Sequence, residues 1–175
     1  MDEPRSPSFS KKVPTGDNRE RLVCDGCGFV DYVNPRIVVG AVCLWEDRIL
    51  LCRRAIEPRR GYWTVPAGFM EERESVDEGA AREAMEEAGA DIEIGPLLGV
   101  WSVPRISQVH MMFLARMRSP QISAGEESLE VQFFEWREIP WADLAFPSVA
   151  AALRRFDEVR GRDRFDTFVG PLGAR

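Results

Sequence analysis

Residues 68–90 read GFMEERESVDEGAAREAMEEAGA, and few folds accommodate that stretch. It follows Trp63-Thr64-Val65-Pro66-Ala67, a strand-like run ending in turn residues. Ser75-x-x-Glu78 is a capping box that starts a helix, and Gly89 stands where a helix ends in a left-handed residue. Between those signals Glu83, Glu86 and Glu87 fall at i, i+3 and i+4, one face of a 3.6-residue helix. Gly79 shares that face and leaves room beside it, while Ala81, Ala84, Met85 and Ala88 are expected on the opposite, apolar side. At roughly 6 Å and an effective dielectric near 20, each carboxylate pair costs about 3 kcal/mol before screening. A solvated acidic face is the ordinary reading of three such glutamates. The sharper one is a divalent cation, because carboxylate oxygens are what Mg²⁺ or Mn²⁺ prefers.

The full spacing favours the second reading. Gly68, five residues, Glu74, seven residues, Arg82-Glu83, an aliphatic position, any residue, Glu86-Glu87, any residue, Gly89: this resembles the signature of the Nudix hydrolases. Ala84 departs from it only in being smaller than the usual aliphatic residue. The resemblance implies an α/β Nudix fold, a mixed β-sheet sandwiched between helices. It implies an enzyme that hydrolyses a nucleoside diphosphate linked to another group, with Mg²⁺ or Mn²⁺ and a water nucleophile. By the same resemblance Glu83, Glu86 and Glu87 hold the metal, the carbonyl of Ala67 joins them, Glu74 completes the set by meeting Arg82 or an outer metal water, and Arg82 orients the glutamates through charge-assisted hydrogen bonds. The cation would neutralise the diphosphate and lower the pKa of its water. The general base differs among Nudix groups. Glu126, Glu127 and Glu130 are candidates in a later loop, with Glu127 favoured; Glu86 and Glu87 are counted with Arg82 among the catalytic residues.

Substrate choice lies outside residues 68–90. The runs Leu51 to Pro58, Trp63 to Glu71, Ile106 to Val109, Glu127 to Glu130 and Glu138 to Trp141 resemble the ADP-sugar and FAD pyrophosphatases. Arg53 and Arg54 offer cations for phosphate, Trp63 and Phe69 offer flat rings, and Gln108 offers an amide; these five are the substrate-binding candidates. Trp101 is a further ring, as well suited to a core. The reaction implied is cleavage of FAD, ADP-ribose or another ADP-sugar to AMP and the phosphorylated remainder. NADH or another dinucleotide is the alternative, but the Ser-Gln-Pro-Trp-Pro-Phe-Pro run of NADH pyrophosphatases is absent. An alternative of another class, a non-catalytic nucleotide-sensing module, usually lacks one of the box glutamates, and none is lacking here.

The remainder of the chain is expected to fall into four parts. Residues 1–20, rich in Ser, Pro, Lys and Asp, read as a flexible leader. Residues 21–33 read as a partial zinc-ribbon-like knuckle around Cys24-x-x-Cys27-Gly28. A structural zinc wants four ligands, and no second pair stands nearby; Phe9-Ser10-Lys11-Lys12 lies near where one would be expected. Zinc is therefore not expected at Cys24/Cys27, and Cys43 and Cys52 read as small buried hydrophobes. Residues 34–165 form the main domain, with strands over Ile37–Trp45, Ile49–Arg54, 63–65, 92–94, 97–103, 109–117 and 131–136. A final helix over about 148–160 carries Val149, Ala152, Leu153, Phe156 and Val159 on one stripe. Residues 166–175 read as a tail.

A net charge of −6 argues against general nucleic-acid binding, which needs a basic face. No run of eighteen apolar residues is present, and the N-terminus lacks an apolar h-region, so a cytoplasmic protein without membrane contact is expected. Its partner is a small nucleotide; many relatives pair as dimers, which leaves a homodimer open. No P-loop, Gly-x-Gly-x-x-Gly or Gly-x-Ser-x-Gly element is present. His110, the single histidine, lies among Val109, Met111 and Met112 and reads as a sheet residue.

Overall fold

The computed structural model describes residues 7–162 and 164–173, which divide into units of Met1–Asn34 and Pro35–Arg175. The first unit is a three-stranded antiparallel sheet of β1 (Phe9–Lys12), β2 (Arg21–Cys24) and β3 (Val30–Asp31), in the order β1-β2-β3. Its knuckle is closed by Gly28 N–H donating to the Cys24 carbonyl and Cys24 N–H donating to that of Phe29. The expected leader is thus partly strand: Phe9 pairs in register with Cys24. Local composition could not show this, since the strand exists only through its pairing with β2. Residues 1–6 of that leader lie outside the described residues.

In the second unit, β4 (Arg36–Trp45), β5 (Arg48–Arg54), β6 (Trp63–Thr64), β7 (Ala67–Phe69), β8 (Ile92–Val103), β9 (Gln108–Met117), β10 (Ser128–Phe134) and β11 (Phe168–Pro171) form one mixed sheet. The order is β10-β5-β4-β9-β8-β11, with β6 beside β5 and β7 beside β4. β4 and β9 run parallel, as do β8 and β11; the other pairs are antiparallel. β4 is β-branched and apolar because both faces of the sheet are covered. Val42, Leu51 and Met112 point to one cluster with Trp101 and Leu153; Ala41, Cys43, Leu50, Cys52 and Phe113 point to the other. Helix α1 (Val76–Ala88) covers the second cluster, and α2 (Pro147–Val159) covers the first. The expected α/β arrangement, a mixed sheet between helices, is the observed one.

Three local expectations change. The runs 92–94 and 97–103 are one strand, β8, with register shifts between Ile94 and Gly99. Gly95-Pro96 bends the strand there without ending it, since Pro lacks only one ladder donor. On α1 the buried stripe is Ala80, Ala84 and Ala88, flanked by buried Glu83 and Glu87, whereas Met85 is exposed. The expected tail contains β11, which pairs from Phe168↔Gly99 to Pro171↔Ser102; residues 174–175 lie outside the described residues. Trp101 stacks on Phe168 at 5.4 Å and is core, not a free ring. Among the described residues no helix is long and apolar enough to cross a membrane.

Candidate active site

Helix α1 begins at Ser75, whose Oγ accepts from Glu78 N–H while the Glu78 carboxylate accepts from Ser75 N–H. It ends at Gly89 with φ 58°. These two caps fix the rotation of the carboxylate stripe against β7. The first residues of β7 lie directly under Glu83 and Glu87. Ala67 N–H donates to Glu87 Oε2 at 3.1 Å. A Cβ on Gly68 would overlap the Glu83 carboxylate, so the backbone approaches that carboxylate as only glycine permits.

Arg82 gathers the rest. Its Nε and Nη2 each donate to Glu74 at 2.9 Å, a bidentate pair. Nη1 donates to Glu83 at 2.8 Å and Glu86 at 2.9 Å, and Nη2 also reaches the Phe69 carbonyl. One guanidinium thereby offsets the repulsion that three clustered carboxylates create. It also draws them toward itself, and among the described residues no three acidic, His or Cys side chains converge on one point. The Arg82 pair holds Glu74 at a pKa of about 2. Burial raises Glu83 above the ordinary carboxylate range despite Arg82. Glu87 has no guanidinium; burial, opposed by its bond from Ala67 N–H, pushes it up to about 8.

The loop 119–127 brings a second acidic edge. Ser123 N–H donates to the Ala88 carbonyl and Gly125 N–H to that of Glu87, so the loop satisfies the last carbonyls of α1. A Cβ at Gly125 would overlap the Glu86 carbonyl. Ala55 N–H holds the Glu127 carbonyl at 2.7 Å. Glu126 and Glu127 consequently line the same cavity as Glu83, Glu86 and Glu87.

That cavity measures 860 Å³. Of the residues singled out from sequence, Ala67, Arg82, Arg54, Phe69 and Gln108 also line it. Arg54 is steered by Nε donating to the Pro58 carbonyl and by its stacking over Phe146, and its charge is felt at Glu87. Four candidates stand elsewhere, the base candidate Glu130 among them, which lies on β10 and not in the loop. Trp63 packs edge-on against Phe134 at 4.9 Å, partly buried against the core. Arg53 donates to the Gly61 carbonyl and pairs with Glu130 on the outer surface. Glu74 is turned into Arg82, one of its two expected partners, and does not line the cavity. Alternation explains the contrast: Arg53 and Arg54 are neighbours on β5 and point to opposite sides. Sequence reading missed Phe146, Ser148 and Leu172, which also line the cavity. Leu172 is placed by its N–H donating to the Ser102 carbonyl beside β11, and no local signal marks it.

The NUDIX domain model matches residues 34–158. The chain belongs to the Nudix family. It is a Nudix pyrophosphatase in enzyme class. The Nudix N-terminal zinc-ribbon model matches residues 7–33. Across 66% of its length the chain is 32% identical to the ADP-ribose pyrophosphatase of Methanocaldococcus jannaschii, covering 69% of that protein. It is 33% identical to the NAD-capped RNA hydrolase NudC of Photobacterium profundum over 77% of the chain, and spans about half (48%) of that relative. A crystal structure of a NUDIX hydrolase from Nitrosomonas europaea superposes with a TM-score of 0.89 at 42% identity, covering 98% of both chains.

The two metals implied by these matches fare differently. The Nudix cluster fits a hard divalent cation: a buried carboxylate with a raised pKa, beside two more, over a backbone that admits no Cβ. The zinc-ribbon unit offers two thiols, Cys24 and Cys27. Opposite them Ser10 Oγ donates to Asp25 at 2.6 Å and Lys12 pairs with Asp25 at 2.8 Å. Two thiolates with a lysine nearby do not make a four-ligand zinc site within one chain.

The Glu87 pKa predicts a pH dependence. Its folded value, about 8, exceeds the ordinary 4.5, so the folded protein holds a proton that the unfolded chain releases. The resulting stability is fully present below about pH 4.5 and is lost as pH rises through 8. In chelator, Glu87→Gln should be more stable than the parent at pH 8.5, with the gap closing toward pH 5; urea melts at the two pH values check this. Mg²⁺ binding should release close to one proton at pH 7, read by calorimetry in buffers of different ionisation enthalpy.

Proposed function

We propose that this Nudix pyrophosphatase hydrolyses an ADP-linked diphosphate, FAD or ADP-ribose, leaving AMP as one product. One observation carries the reading: a single cavity has an acidic wall, an arginine facing it and an apolar end, which are the three demands of phosphate, metal and base. Mg²⁺ or Mn²⁺, when bound, neutralises the diphosphate and makes water a better nucleophile. Glu83, Glu86 and Glu87 would hold it, with Glu83 and Glu86 exchanging the Arg82 guanidinium for the cation. Arg54 binds the phosphates from the opposite side. Glu127 takes the proton as water attacks one phosphorus and the P–O–P bridge breaks. The leaving phosphate departs on the remaining product. Phe69, half exposed at the mouth, offers a ring to the flat part of the substrate. The identity to an ADP-ribose pyrophosphatase supports the ADP-linked class.

The test is a panel of FAD, ADP-ribose, NADH, NAD-capped RNA, diadenosine polyphosphates and nucleoside triphosphates, with products identified. In ¹⁸O-water one product alone should carry label. FAD or ADP-ribose should lead in kcat/KM. A lead of more than tenfold, about 1.4 kcal/mol at the barrier, for the triphosphates, NADH or the capped RNA would overturn the substrate reading.

A further inference from the structure

Gln108, His110 and Met112 alternate on β9, so all three face the cavity. His110 is buried and pairs across to Val38 on one side and Trp101 on the other. Its Nε2 lies 3.0 Å from Gln108 Oε1. Its Nδ1 is buried without a partner among the described residues. This pair of facts decides the tautomer. A proton on Nδ1 would leave a buried N–H with no acceptor, which native proteins rarely tolerate, and would set a bare Nε2 lone pair against the Gln108 oxygen. A proton on Nε2 leaves only an unfilled acceptor and makes a good hydrogen bond. Burial keeps the ring neutral, since it lowers the His110 pKa.

We propose that His110 is a positioning residue: by donating from Nε2 to Gln108 Oε1 it fixes that amide with its NH₂ toward the cavity, where it selects a base presenting a ring-nitrogen or carbonyl lone pair. The choice of base as ligand rests on the ADP-linked reading above. The amide would otherwise flip freely and read donors and acceptors alike. With its oxygen turned to His110 it presents its NH₂ to the cavity. Val38, which pairs with His110, and Met112, Phe146 and Val149 line the same cavity, so a base that cannot accept from the amide leaves a donor unpaired. Ser148, at the start of α2, also lines it.

The experiment compares the parent with His110→Phe, His110→Gln and Gln108→Glu on FAD and ADP-ribose at saturating Mg²⁺. His110→Phe keeps a flat ring and removes the donor. It should raise KM about tenfold with kcat within about twofold, the pattern of lost uniform binding. His110→Gln restores an N–H donor and should recover most of the loss, which simple damage to packing would not allow. Gln108→Glu replaces the donor by an acceptor and should raise KM at least as far. If His110→Phe melts at a much lower temperature, Gln108→Glu is read alone by the same threshold. An unmoved KM, or a fall in kcat at constant KM, overturns the inference while leaving the proposed reaction intact. Turnover of neither substrate by the parent overturns both.

Discussion

Glu87→Gln should lower kcat by about a thousandfold, roughly 4 kcal/mol at the barrier, while the protein stays folded. Glutamine matches glutamate in size and can still accept from Ala67 N–H, so the packing of α1 on β7 survives. It cannot supply an anionic oxygen, and a hard divalent cation needs one. Glu87 is 6% exposed and Glu83 8%, so neither is replaced by solvent without a change of structure. Glu83→Gln should act alike. Glu130→Gln is the control: its partner Arg53 lies outside the cavity, and turnover should stay within about twofold of the parent. Steady-state kinetics at several Mg²⁺ concentrations, with circular dichroism as a check on folding, separates the outcomes. Near-parental turnover of Glu87→Gln at ordinary Mg²⁺ would sink the assignment of this carboxylate to the metal.

Arg82→Lys should be nearly as damaging as Arg82→Ala, with each lowering kcat/KM about a hundredfold. The guanidinium makes four contacts with carboxylates and a fifth with the Phe69 carbonyl, spread over both edges of its plane. A lysine ammonium is a point donor and cannot serve Glu74 bidentately while reaching Glu83 and Glu86. Glu74 would lose the partner that keeps its pKa near 2, and Glu83 and Glu86 would lose their fixed orientation. Stability should fall too, by about 2 kcal/mol for Arg82→Ala, since a hydrogen-bonded charged group contributes on that order where it is largely shielded. Chemical denaturation in chelator measures the second effect apart from the first. If Arg82→Lys kept parental kcat/KM, the guanidinium would be a bystander and the orientation of the glutamates would have another source.

The sequence alone determined the helix that carries the acidic stripe. Capping by Ser75, Glu78 and Gly89 is local chemistry, satisfied within a few residues, and it sets both ends of α1. The stripe of α2 was equally legible, because Val149, Ala152, Leu153, Phe156 and Val159 repeat at helical spacing and all five are buried. The tertiary structure decided what those helices face. Glu83 and Glu87 meet Gly68 and Ala67 because β7 runs beneath α1, a relation between residues that no local pattern encodes. Glu126 and Glu127 enter the cavity because their loop satisfies the end of α1, which only the folded chain presents. Arg53 and Arg54 look alike in sequence, and the pleat of β5 sends one to Glu130 and the other to the cavity. Trp63 and Trp101 read alike as rings for stacking or for packing; Trp101 is buried in the core and Trp63 packs against it, since an aromatic ring is as fit for one role as the other. Strands β1 and β11 left no trace in composition. Each is only four residues long, and each is a strand only through the edge it pairs with, a long-range hydrogen-bonding partner that the local sequence does not contain.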